Sequence, residues 1–125
     1  MNLLLDTHVL LWWLDDPEQI LPETRERIAD GTNMVYISAV TAWEIAIKKS
    51  IGKLTAPDNL EDVIMQAGFT PLPVSIRHAM VVEQLPMHHT DPFDRMLVAQ
   101  AQLESLTLLT RDRRMSLYNI ASLPA

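Results

Sequence analysis

The 125-residue chain is 48% hydrophobic, enough for one packed domain over residues 1–125 that buries about two-thirds of its unfolded surface. Cysteine is absent, which excludes disulfides, thiolate nucleophiles and sulfur-ligated zinc and suits a reducing, cytoplasmic setting. The net charge of -6 is adverse to a polyanion-binding surface overall, and no run reaches the ~18 apolar residues of a membrane span.

Residues 2–5 form a short apolar strand, followed by a helical segment from His8 to Leu14 that ends at Asp15-Asp16-Pro17. Asp6 interrupts the first apolar stretch and no basic residue precedes it, so no secretory signal is expected. Pro22 to Ala29 reads as a second helix with proline in its first turn, and Asp30-Gly31-Thr32-Asn33 as a turn. Met34 to Ile37 is the second strand. Ser38 caps a helix to about Ser50, in which Val40, Trp43, Ile47 and Ile51 form one apolar stripe before Gly52.

Another helix starts at Pro57-Asp58, with Leu60, Val63, Ile64 and Ala67 facing inward. The two prolines of Thr70-Pro71-Leu72-Pro73-Val74 confine that extended segment to a sheet edge or a short strand. Ser75 opens a helix to about Leu85. After a loop, Asp91 as N-cap, Pro92 at N1 and Asp94 at N3 open a helix to about Glu104. Residues 106–110 are the last clear strand, and the segment from Met115 fits no single element. Strands alternating with helices predict an α/β fold, three layers α/β/α around a short central parallel sheet.

Acidic residues stand where these strands stop. Asp6 follows Leu3-Leu4-Leu5, Glu44 lies six residues beyond Ser38, Asp94 opens the helix from Asp91, and Asp112 follows Leu108-Leu109-Thr110. In a parallel sheet the carboxyl ends share one edge, where ligands bind. Carboxylates gathered there repel one another unless a cation intervenes, so the pattern points to a divalent metal site. Each acid also has a structural reading. Asp6 suits an N-cap, Glu44 an i,i+4 pair with Lys48, and Asp112 a cap for the turn Arg113-Arg114-Met115. Asp91 is the better cap and Asp94 the better ligand, because Asp94 shares a face with Leu97, Val98 and Ala101.

Charge is uneven as well. Residues 1–94 carry a net of -8 and residues 95–125 a net of +2, from Arg95, Arg111, Arg113 and Arg114 beside Asp94 and Asp112. Arginines around a cation-filled acidic cleft suit a phosphate backbone. His88-His89 lacks a third ligand at zinc spacing, and His8 and His78 read as packing or surface residues. Ser38 has neither a histidine–acid pair nor a glycine-rich elbow to make it a nucleophile.

Leu5-Asp6-Thr7-His8, Ile37-Ser38 with Trp43-Glu44-Ile45, Asp91-Pro92-Phe93-Asp94-Arg95 running into Leu97-Val98-Ala99-Gln100-Ala101, and Leu109-Thr110-Arg111-Asp112 follow one another in an order specific as a set. With them the chain resembles the PIN-domain ribonucleases, in particular the VapC-type toxins of bacterial toxin–antitoxin pairs. The resemblance spans essentially the whole chain. It implies a metal-dependent endoribonuclease using Mg²⁺ or Mn²⁺, with Asp6, Glu44, Asp94 and Asp112 as acidic ligands and Thr7, Ser38 and Thr110 as polar support. It further implies an RNA substrate, a small antitoxin partner and a homodimer. Arg95 and Arg113, with Lys48 beside them, are the candidates for holding substrate phosphates.

Trp12 and Trp13 are open to two readings, core filling or partner contact. A housekeeping RNA-processing PIN nuclease is the alternative within the family, and a non-catalytic RNA-binding or receiver-like domain the alternative outside it. A receiver needs a paired acid after the first strand and a late lysine, where this chain has Thr7 and Arg111. A dehalogenase-like phosphatase needs an aspartate at the position of His8.

Overall fold

The computed structural model describes residues 1–125. Five parallel strands form one sheet: β1 (Asn2–Leu5), β2 (Met34–Ser38), β3 (Thr70–Leu72), β4 (Thr107–Thr110) and β5 (Ala121–Pro124), in spatial order β3-β2-β1-β4-β5. The helices are α1 (Thr7–Asp15), α2 (Pro22–Ala29), α3 (Ala39–Ser50), α4 (Leu60–Gln66), α5 (Ile76–Gln84) and α6 (Pro92–Glu104). They cover both faces of the sheet, which is why Leu3, Leu4 and Leu5 are all fully buried where a half-exposed strand would alternate.

Registers Leu3↔Thr107, Leu4↔Leu108 and Leu5↔Leu109 place side chains of like parity on one face. Leu3, Leu5, Val35, Ile37 and Leu109 join Val9 and Leu10 of α1, Ile28 of α2, Ile45 of α3 and Ile64 of α4. Leu4 and Leu108 face the other way, against Leu85 and against Leu97, Val98 and Ala101 of α6. Each buried leucine contributes about 1.5–3 kcal/mol. The chain builds outward from β1 through β2 to β3, then crosses back to β4 and β5. The reversal leaves a crevice at the carboxyl ends of β1 and β4.

Three expectations change. In α3, Trp43 is 60% and Ile51 59% exposed, whereas Val40, Thr41, Glu44 and Ile45 are buried. Of the predicted stripe only Val40 is buried, because the helix turns its polar Thr41 and Glu44 toward Thr7 of α1; Trp43 instead lies edge-on to Phe93 of α6. Ala67 is exposed beyond the end of α4. The segment after Met115 holds a parallel edge strand, β5, paired with β4 from Thr107↔Ala121 to Thr110↔Pro124. Its short Ala-Ser-Leu-Pro sequence has no periodicity of its own, and the ladder with β4 fixes it. Trp12 and Trp13 are half-buried against the first core cluster, Trp13 against the Phe69 ring and Trp12 beneath the Arg111 guanidinium.

Candidate metal centre

The crevice is built one carboxylate at a time from the ends of β1 and β4, from α3 and from the start of α6. Asp6 leaves β1 while its backbone N–H still donates to Leu109 O, and its Oδ1 caps α1 by accepting from Val9 N at 2.9 Å. Its Oδ2 accepts from the Thr110 hydroxyl at 2.5 Å. Asp6 is therefore both cap and crevice carboxylate. Burial pushes its carboxyl up, opposed by the bonds from Thr110 and Val9.

Thr110 also accepts from the Asp112 backbone N–H at 3.1 Å, so one hydroxyl ties the ends of β1 and β4 together. Asp112 itself receives Arg114 on both oxygens, Nε to Oδ1 at 3.1 Å and Nη2 to Oδ2 at 2.8 Å. That guanidinium holds its carboxyl down at about 2.

Glu44 projects from α3 and is buried. Its Oε1 accepts the Thr7 hydroxyl at 2.6 Å and its Oε2 pairs with Lys48 Nζ. Thr7 has a single hydrogen, and Glu44 takes it. The 3.4 Å contact with Thr41 therefore uses the hydrogen of Thr41.

Asp94 differs from the other three. Asp91 caps α6, its Oδ1 accepting from Phe93 N at 2.8 Å and Asp94 N at 3.3 Å, which leaves the Asp94 side chain free to face the crevice. No N–H or O–H of the protein is directed at the Asp94 carboxylate. His89 Nε2 lies 3.1 Å from its Oδ2, but that N–H points to Asp112 Oδ2 at 2.9 Å. Burial first, and then the charge of Asp91, pushes the Asp94 carboxyl up to about 7; Asp6 and Glu44 add to the rise and His89 opposes it.

The four acids thus sit in one electrostatic neighbourhood. Thr7 and Thr110 each donate a hydroxyl to one of them, to Glu44 and to Asp6. Ser38 does not: its buried hydroxyl accepts from Val40 N to cap α3 and bonds none of the acids. Arg95 is a second correction. It is buried, and its guanidinium donates to the carbonyls of Val82, Leu85, Pro86 and His89 and to the Tyr118 hydroxyl, leaving no fork for a phosphate. Arg113 is exposed, forms no ion pair, and borders a cavity with Thr110 and Asp112.

His89 is the residue that sequence reasoning set aside. It is buried, and its Nε2 and one oxygen each of Asp94 and Asp112 all lie within 4.8 Å of one another. The signal was its place two residues before the Asp91 cap; a zinc-spacing criterion passes over it because its neighbours come from distant segments.

Carboxylate oxygens dominate this region, those of Asp94 and Asp112 lie close together, and Asp94 accepts no hydrogen bond from the protein. That chemistry fits a hard divalent cation and not a soft one.

The sequence profile of the PIN domain matches residues 3–121. Ribonuclease VapC22 of Mycobacterium tuberculosis is 27% identical over 121 residues, covering 91% of this chain and 89% of that protein. Ribonuclease VapC16 of the same organism is 38% identical over 60 residues, 45% of this chain and 43% of that one. Among solved structures, VapBC2 from Rickettsia felis bound to a promoter DNA fragment superimposes with a TM-score of 0.75 at 14% identity, covering 99% of this chain and 98% of that one. DNA-bound VapBC from Salmonella typhimurium gives 0.71 at 20% identity, with the same coverage. At these identities the structural matches establish the fold.

Proposed function

The chain belongs to the PIN-domain family, and on that premise we propose that it is a metal-dependent endoribonuclease, the toxin of a toxin–antitoxin pair. The observation that carries the reading is the Asp94 carboxylate: half-buried, without a protein hydrogen-bond donor, and pushed up by the charges of Asp91, Asp6 and Glu44. Asp6, Glu44, Asp94 and Asp112 would hold Mg²⁺ or Mn²⁺. Such an ion supplies Lewis acidity, which makes water a stronger nucleophile near neutral pH and offsets negative charge growing on a phosphodiester.

The chain's own groups do the positioning. Thr7 and Lys48 fix the two oxygens of Glu44, and Thr110 fixes Asp6 against the end of β4. Arg114 keeps Asp112 ionised throughout the neutral range. The reaction adds a water oxygen to phosphorus as the bond from phosphorus to one ribose oxygen breaks. The water's proton goes to a crevice carboxylate, and the leaving oxygen takes up a proton. Exposed Arg113 at the rim is the candidate to hold the RNA backbone.

The partners in this reading are RNA, a small antitoxin and a second copy of the chain. The likeness to the VapC ribonucleases and to the VapBC assemblies supports the nuclease and antitoxin parts. Exposed Trp43, Ile76 and Met87 offer apolar surface for protein contacts. Residues 1–125 act as one nuclease domain, in the cytoplasm; no helix is long and apolar enough to cross a membrane.

The test is cleavage of RNA by the purified protein with Mg²⁺ or Mn²⁺. EDTA and Asp6→Asn should each abolish it, and equal cleavage by wild type and Asp6→Asn overturns the assignment. Expression without a neighbouring antitoxin gene should arrest growth of the host. Cleavage without arrest favours a housekeeping RNA-processing nuclease.

A further inference from the structure

His89 sits in the metal centre yet has no lone pair to give a cation. Its Nδ1 accepts the Asp91 backbone N–H at 3.0 Å. A nitrogen that accepts carries no proton, so the neutral ring holds its hydrogen on Nε2, the atom directed at Asp112 Oδ2 at 2.9 Å and 3.1 Å from Asp94 Oδ2. The rest of the residue is fixed with equal care. Its backbone N–H donates to the Tyr118 hydroxyl at 3.0 Å, and its carbonyl accepts from Arg95 Nη1 at 3.4 Å. Arg95 and Tyr118 are joined at 3.3 Å, and Arg95 also gathers the carbonyls of Val82, Leu85 and Pro86 from the preceding turn. Five acceptors on one buried guanidinium hold the loop between α5 and α6 so that a single imidazole edge reaches the crevice.

We propose that His89 is a positioning residue: held as the Nε2–H tautomer, it fixes Asp112 beside Asp94 and leaves the cation to the carboxylates alone. The inference rests on the metal-centre reading above and deepens it. Asp94 comes from α6 and Asp112 from the loop after β4, and no covalent or backbone contact sets their separation. Arg114 and Thr110 hold Asp112 from its own side, and the His89 ring is the group that lies between the two carboxylates, its N–H dipole offsetting part of their repulsion. Hydrogen-bond partners of metal ligands act in this way, and their loss typically lowers metal affinity about 10–100-fold.

The test uses the full chain and Mg²⁺, followed through backbone amide shifts, with imidazole nitrogens read by long-range ¹H–¹⁵N correlation. In wild type the His89 ring should show the Nε2–H pattern without Mg²⁺ and keep it with Mg²⁺. A change to Nδ1–H on adding Mg²⁺ makes His89 a ligand and overturns the proposal. His89→Asn keeps an acceptor for Asp91 N–H and loses the donor; Mg²⁺ affinity should fall about 10-fold or more. His89→Gln returns an N–H near the Nε2 position and should recover most of that loss. Equal affinity of His89→Asn and wild type, or equal loss in the two variants, overturns the positioning role. Asp94→Asn separates the two levels. If it binds Mg²⁺ as wild type does, the metal-centre reading itself fails. If it loses Mg²⁺ while His89→Asn keeps it, only the role of His89 fails. Should the His89 variants not fold, the tautomer measurement on wild type decides alone.

Discussion

Asp94→Asn should stabilise the metal-free protein, by an amount that grows as pH rises from 3.8 through about 7. The folded chain raises the Asp94 carboxyl from 3.8 to about 7. A raised carboxyl means that the folded state holds the proton more tightly than the unfolded state. The contribution is therefore favourable at low pH and is lost as pH rises from 3.8 through about 7. At ~1.36 kcal/mol per unit the full loss is about 4 kcal/mol, of which about 2.5 kcal/mol falls between pH 5 and pH 8. A quarter of the side chain is solvent-accessible, which lowers the expected range to roughly 1–2.5 kcal/mol. The raised Asp6 carboxyl is common to both chains, and the lowered Asp112 carboxyl titrates below the window.

The assay is urea unfolding of wild type and Asp94→Asn in EDTA at pH 5 and pH 8. The stability of the variant relative to wild type should rise by that amount between the two pH values. Saturating Mg²⁺ should reverse the order, because it stabilises only the chain that binds it. A pH-independent difference, or one that moves in favour of wild type at pH 8, refutes the reasoning. Such a site trades apo stability for cation affinity.

Other outcomes follow from neighbouring contacts. Thr110→Val removes the donor to Asp6 and the acceptor for Asp112 N–H, so it should cost about 1–3 kcal/mol in thermal or urea unfolding. The same change raises the Asp6 carboxyl further, so the deficit in RNA cleavage should be larger at pH 6 than at pH 8. Arg95→Lys should destabilise by about 3 kcal/mol, since an ammonium cannot span five acceptors, while the salt dependence of RNA binding stays as in wild type. Arg113→Gln should leave unfolding unchanged and reduce the slope of log affinity against log salt for single-stranded RNA by about 0.7.

Much of this protein is written locally. Leu3-Leu4-Leu5 reads as a short apolar strand, Pro22 and Asp91-Pro92 mark helix starts, and the acids beyond β1, β2 and β4 follow from their places in the chain. A parallel sheet then brings those acids toward one edge, and that consequence of topology makes the candidate site legible in the sequence. The separation of Asp91 from Asp94 was legible too, because cap geometry consumes one carboxylate and frees the other.

What the tertiary structure decided concerns contacts between distant segments. Arg95 lies one residue from Asp94, yet its guanidinium turns away into a buried turn. Trp43 sits on an apparent apolar stripe, yet α3 rotates to give Glu44 the buried side because Thr7 waits there with a hydroxyl. β5 exists only through its ladder with β4. His89 enters the site only once the α5–α6 loop and the end of β4 meet. Periodicity and capping are properties of neighbours along the chain, so sequence alone fixes them. Which polar group compensates a buried charge depends on who arrives across the fold.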